Sequence, residues 1–402
     1  MNLASTLRTP LDIEPPHFSI ILGGPLFQLL RRAHMTGDAL EMLRRRIVVI
    51  SLFAWLPLLL LSLLGGEFFR GKAAVPFLFD LQVHARFLLA TPLLILAEYV
   101  VHKRLRPIAE EFLTRQLIPD EAIPRFRDLL RSAMTLRNSI IAEVLMVVLI
   151  YVFGVPIVFR EAATLQATTW YADPSDAGAR FTFAGLWYAY VSVPLFQFLL
   201  LRWYFRLIVW MRFLWGVSRI PLHVSPLNPD GMAGLSFLAG TVFAFVPLAM
   251  AHGALLAGTI ANRVFYAGDT LANAKYEIAI VVGFLFLLVF VPLTVFAPQV
   301  AAAKRSTVRA LGRFGQRYAR EFEVTWLPNG MPAATSPLGS SDIQSLADLG
   351  GTFERMRATR MVPITRDAVL GLGIATLIPV APLLLTVVPA EELAKRLFSM
   401  LL

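Results

Sequence analysis

Seven ionisable side chains, Glu98, His102, Glu143, Arg202, Arg206, His223 and Asp230, lie inside or at the margins of long apolar runs. Charged groups are costly at bilayer depth. They persist there when they pair, face water, or line a path for an ion or proton. Glu98 and His102 are four residues apart, as are Arg202 and Arg206, so each couple shares one helical face. Carboxylate, imidazole and guanidinium groups in one layer can gate a solute or move a proton, or can act only as Glu–Arg anchors between helices. Asp230 can instead cap the helix that follows it. Glu98, His102, Glu143 and Asp230 have the donor types that a divalent cation accepts. Their spacing matches no standard metal signature, so a metal site is left as an alternative. His252 is the only histidine deep within a run. A histidine there either bonds within the bundle or carries protons.

Other chemistries drop out. The chain has no Cys, which removes disulfides, thiolate catalysis, iron–sulfur clusters and covalent haem. HExxH, GxxxxGK[ST] and GxSxG are absent. The last apolar run has no Lys for a retinal Schiff base, and the six His do not assemble a facing pair for haem b. The sequence names no cofactor.

Seven apolar runs hold these groups: Ile47–Gly66, Arg86–His102, Ser139–Phe159, Phe183–Leu201, Gly234–Asn262, Glu277–Pro298 and Val369–Val388. Each is about 20 residues, enough to cross a ~30 Å hydrocarbon core. Hydrophobic residues make up 57% of the chain, and its mean hydropathy is +0.65. Of 37 Lys and Arg, the first, third, fifth and seventh flanks hold 28 and the other four hold 9. Basic residues near span ends stay cytoplasmic. The expected fold is therefore an all-α bundle of seven transmembrane helices, with the N-terminus cytoplasmic and the C-terminus outside. Residues 106–137 and 304–366 then face the cytoplasm, and residues 172–178 and Leu402 face outward. This topology brings the seven ionisable residues into one layer at the inner face. The formal charge of +10 is topological and not a nucleic-acid signature. It favours anionic inner-leaflet lipids as partners within the bilayer. Arg outnumbers Lys 32 to 5, which reads as a bacterial chain, and hence as a multi-pass protein of the inner membrane.

Four stretches organise the chain. Residues 1–46 form a cytoplasmic or interfacial segment, in which His17–Leu30 is too short to span. Residues 47–300 hold six spans and a cytoplasmic helical loop, 103–138. That loop carries two helical patterns, Pro107–Leu117 and one from Pro119 toward Asn138. Residues 301–367 form a second cytoplasmic helical loop. In it, Lys304–Arg320 continues the sixth span, Pro328–Gly339 is turn-rich, and Ser341–Gln344 is a capping box that starts a helix toward Arg360. Residues 368–402 are the seventh span and an outer amphipathic tail. The fourth run keeps helical periodicity to Val217, which would make it roughly 50 Å long. Pro57, Pro92, Pro156, Pro194, Pro247, Pro292, Pro379 and Pro382 put at least one proline in every run, each expected to disturb its helix. Ala249, Gly253, Ala257 and Ala261 recur every four residues, a stripe that lets another helix approach closely.

The stretches Asn228-Pro-Asp-Gly-Met-Ala-Gly-Leu235 and Gly24-Pro-Leu-Phe-Gln-Leu29 resemble an uncharacterised group of bacterial polytopic inner-membrane proteins. That resemblance implies no activity. The residues themselves favour a channel or transporter for a small solute or ion, and a homo-oligomer is compatible with the same runs. A non-catalytic scaffold or assembly subunit is the second reading, and a lipid-active membrane enzyme using the carboxylate and histidine layer is the third.

Overall fold

The computed structural model describes residues 19–25, 28, 42–69, 73–164, 168–175, 178–327 and 341–386. Seven helices in it are long and apolar enough to cross a membrane: Leu43–Gly65, Leu81–Thr114, Ile140–Arg160, Phe183–Val217, Ser236–Tyr266, Lys275–Trp326 and Arg366–Thr386. They are referred to below as the first to seventh spans. Residues 1–18, 328–340 and 387–402 lie outside the description, and with them the amphipathic tail, the turn-rich stretch and Leu402.

Two spans run well past their apolar cores. The second continues through Pro107 to Thr114 and absorbs the Pro107–Leu117 pattern, which was expected as a separate helix. Its junction, Lys103-Arg104-Leu105-Arg106, contains only good helix formers and no turn residue to end it. The sixth continues as one α-helix, Ala297–Trp326, beyond its apolar part.

The prolines act in three ways. In the second, third and fourth spans a π-helical turn sits just before the proline: Ala85–Ala90 before Pro92, Ile150–Gly154 before Pro156, and Tyr188–Ser192 before Pro194. A widened turn accommodates the carbonyl that proline's missing N–H cannot serve. Pro292, Pro379 and Pro382 lie in tighter 3₁₀ segments, Val291–Phe296 and Ile378–Thr386. Pro247 follows a break at Phe245, between Gly240–Ala244 and Val246–Tyr266. Pro57 is the exception, since it lies within a continuous α-helix, Leu43–Gly65.

The fifth span is central. Of its most apolar window 67% is buried, against 17% for the third. A Cβ at Gly253 would meet the Thr376 carbonyl of the seventh span, and one at Gly258 would lie 2.7 Å from the Ala85 Cβ of the second. The fifth span is thus pressed between the second and the seventh, with Ala249 and Ala261 buried and Ala257 half-buried beside Gly253.

Outside the spans, the Ile123–Arg137 helix packs on the fourth span and the Ser341–Ala358 helix on the extended sixth. Lys304 Nζ fixes the end of the latter by donating to the Arg357 and Thr359 carbonyls, at 2.6 and 3.0 Å. One departure from an all-α fold is a two-stranded antiparallel hairpin between the third and fourth spans. Its strands are β1 (Ala172–Ser175) and β2 (Gly178–Phe181), with Ala172 opposite Phe181.

Candidate functional site

Two buried carboxylates belong to the second span, Asp80 at its N-cap and Glu98 near the end of its apolar part. Glu98, near the end where the basic flanks gather, is 4% exposed. Its Oε1 accepts from Arg206 Nη1 at 2.8 Å and lies 3.6 Å from Arg202 Nη1, while its Oε2 accepts from Arg46 Nη2. Arg202 also reaches Glu143 on the third span, with Nε to Oε1 at 3.5 Å. Four elements therefore converge: Arg46 from the first turn of the first span, Glu98 from the second, Glu143 from the first turn of the third, and Arg202 with Arg206 from one face of the fourth. Arg46, Arg202 and Arg206 are all buried. The Arg206 guanidinium lies 4.9 Å from the centre of the Trp203 ring, a further favourable contact for a desolvated cation.

A stretch of backbone, Ser19–Pro25, closes this layer. Arg202 Nη2 donates to the Gly23 carbonyl at 3.4 Å, and Arg137 Nη1 donates to that of Ser19. Gly23 and Gly24 have φ of +149° and +91°, a region that side-chain-bearing residues avoid. A Cβ on Gly24 would lie 3.1 Å from Glu143 Oε1. The Ser19 hydroxyl oxygen accepts from the Ile21 and Leu22 N–H groups, at 3.1 and 3.0 Å. Its own proton is left for His102 Nδ1, 2.9 Å away. Burial, together with nearby Arg206, lowers Arg137 to about 10, a sign of how crowded with cations this end is.

Two residues expected in the layer are elsewhere. His223 is exposed, with Nδ1 3.3 Å from the Gln116 carbonyl. Asp230 accepts backbone N–H groups from Met232, Gly234 and Ser236 at 2.8, 3.0 and 3.1 Å. It staples the loop that leads into the fifth span, and its hydrogen-bonding capacity is spent on that loop. Burial raises its pKa, but those three N–H groups outweigh the effect and hold it below the usual carboxylate range. Among the described residues no three His, Asp or Glu side chains converge to hold a metal, so the layer does not have the donor set of the metal alternative. His252 lies away from the layer. Its Nε2 accepts from Tyr204 Oη and its Nδ1 donates to the Leu248 carbonyl, both at 2.8 Å, which commits both ring nitrogens.

Arg46 and Arg137 complete the layer and were not singled out from the sequence. Arg44, Arg45 and Arg46 read alike as a basic flank, and only the helical phase of the first span selects Arg46.

At the opposite end of the second span, Asp80 is 4% exposed. Its Oδ1 accepts from Val83 N at 3.2 Å and Asn262 Nδ2 at 2.8 Å, and its Oδ2 accepts from Trp170 Nε1 at 2.8 Å. This one side chain caps the second span and ties it to the fifth span and to the connection before β1. Phe77 packs edge-on against Trp170 at 5.0 Å. His84 accepts from Trp55 Nε1 at 3.0 Å and donates Nε2 to the Leu78 carbonyl at 3.1 Å. The sequence signal was present, a lone Asp between Phe79 and Leu81 just before a run, which is an N-cap pattern.

Comparison with known proteins gave no match to a family model, a curated protein or a solved structure. The seven apolar helices make the chain a multi-pass membrane protein by length and composition.

Proposed function

We propose that this is a channel or transporter for a small solute or ion in a bacterial inner membrane, with its basic end cytoplasmic, and that the Glu98 layer is its gate. One observation carries the reading: five charged side chains, four of them buried and Glu143 partly so, meet at one level of the bundle, beneath a glycine-dependent stretch of backbone and not beneath a helix. A purely structural anchor needs one Glu–Arg pair, and each added buried ion costs desolvation that a fixed bundle would avoid. Ile20 and Ile21 anchor this segment in the core, whereas its Gly23–Gly24 part is held by the Arg202 hydrogen bond, so opening is expected at the two glycines. The structure is then a closed state.

Flux through reconstituted vesicles tests this. Vesicles with the wild-type chain should pass a small solute, and a variant lacking residues 1–25 should pass it faster. No flux of any solute in either would leave the scaffold reading. That reading has its own support in the exposed apolar side chains Phe314 and Val324 on the extended sixth helix and Leu327 at its C-cap, at 48%, 77% and 68%. Orientation is tested separately with cysteines, since the chain has none. Asp173→Cys should react with an impermeant reagent in intact cells, and Val324→Cys only after permeabilisation.

A further inference from the structure

Among the described residues the layer does not balance its charge. Three buried guanidiniums, Arg46, Arg202 and Arg206, face two carboxylates, Glu98 and Glu143. Arg137, reaching Ser19 beside them, adds a fourth cation at its edge. Arg46 is 2% exposed, and after Nη2 is given to Glu98 its Nε and Nη1 have no hydrogen-bond partner among the described residues. A buried ion without compensation is among the most costly features a fold can hold, and a guanidinium is built to use all its donors. Surplus charge and unspent donors occur in the same side chain, and both call for an anion with several acceptor oxygens. Guanidinium groups meet phosphate and carboxylate oxygens better than they meet a spherical ion.

We propose that the Arg46–Arg202–Arg206 layer binds one small oxyanion of the phosphate class, either free or as a lipid headgroup. This deepens the transport reading above by naming its solute class, and it rests on that reading only for the word solute. Binding can stand without transport.

The experiment titrates inorganic phosphate into the purified full chain in neutral detergent, at constant ionic strength set with chloride. Thermal midpoint and tryptophan fluorescence are followed, Trp203 lying under Arg206. A saturable rise is expected. Arg46→Gln should weaken it at least about tenfold, the loss that follows from removing one or two charge-assisted hydrogen bonds. That variant should fold, because Glu98 keeps Arg206 and Arg202. If it does not fold, Arg46→Lys keeps the charge, drops the extra donors, and should show the same weakening. A second arm uses nanodiscs in phosphate-free buffer, made of a neutral glycolipid alone or with phosphatidylglycerol added. A midpoint raised by phosphatidylglycerol in the wild type but not in Arg46→Gln assigns the site to a headgroup. A response to inorganic phosphate alone assigns it to the free ion. No saturable response in either arm, or an equal response in the Arg46 variants, overturns the proposal. Vesicle flux separates the two claims. Saturable phosphate binding with no flux keeps the anion site and removes transport, whereas flux of cations or neutral solutes without phosphate binding does the reverse.

Discussion

Asp80 and Glu98 are buried to the same degree on the same helix, 18 residues or about 27 Å apart, yet they are satisfied by opposite means. Asp80 is held by a backbone N–H, an indole and an amide, all neutral and all well within hydrogen-bond distance. Glu98 is held by three guanidiniums. Neutral donors at fixed places make a rigid, self-contained knot. A surplus of cations makes a site whose charge is incomplete without something further. The end of the bundle tied by Asp80 therefore reads as structural, and the end tied by Glu98 as the one that can do work.

The sharpest way to break this contrast is Glu98→Gln. An amide leaves three buried cations facing Glu143 alone. Thermal unfolding in detergent should show a loss of about 3–5 kcal/mol, the range for orphaning buried charge. The loss is this large because Glu98 is only 4% exposed. Asp80→Asn should cost less, about 1–3 kcal/mol, because in either orientation the new amide turns one NH₂ toward a donor but leaves no charge unpaired. Equal losses for the two would mean that the guanidiniums are not desolvated as they appear in the structure.

Gly253→Leu sharpens the comparison by acting between the ends. It would drive the fifth span away from Thr376 and cost about 1–3 kcal/mol by overpacking. The fifth span supplies Asn262 to the Asp80 knot and nothing to the Glu98 layer. Hydrogen exchange should therefore loosen around Val83 and Trp170 and leave the first turns of the first and third spans unchanged. Faster exchange at both ends would show the bundle to be one cooperative unit.

Asp230 gives the smallest effect. It lies at Glu98's end but is satisfied as Asp80 is, by neutral N–H groups. Its folded-state pKa lies below the unfolded one, so its contribution is fully present above the unfolded value and is lost as pH falls through the folded one. Only partly buried, it should give only a slight acid-side decline in the thermal midpoint, absent in Asp230→Asn. A decline unchanged in that variant would assign the acid sensitivity to other carboxylates.

Much of the fold was legible because lipid imposes a crude code, about 20 apolar residues per crossing. The spans were readable, and so was the helical run to Val217. The alternation of spans was enough to bring Glu98, Glu143, Arg202 and Arg206 to one level. It could not separate Arg46 from its two neighbours, since phase within a helix is decided by packing and not by composition. Nor could it keep His223 and Asp230 apart from the layer, because position along a span says nothing about which way a loop folds back. The Asp80 knot joins residues up to 182 apart, a pairing with no local signature. The prolines announced irregularity but not its kind: widened turns, tightened turns, and in the case of Pro57 no interruption at all.

The widened turns have a consequence for how this chain could change over generations. A π turn is the mark of one residue added to an α-helix. Eighteen residues make five whole turns of a regular helix, so without Ala85–Ala90 the two carboxylates of the second span would share a face. With it, one is rotated from the other by about 100°. Deleting one residue there would restore regular hydrogen bonding and leave that offset as it is, since seventeen regular residues also stop about 100° short of five turns. Such turns are the places where a membrane helix can gain or lose a single residue while the side chains on either side keep their faces. Descendants and relatives of this chain should show their one-residue gaps at 85–90, 150–154 and 188–192 before anywhere else in the spans.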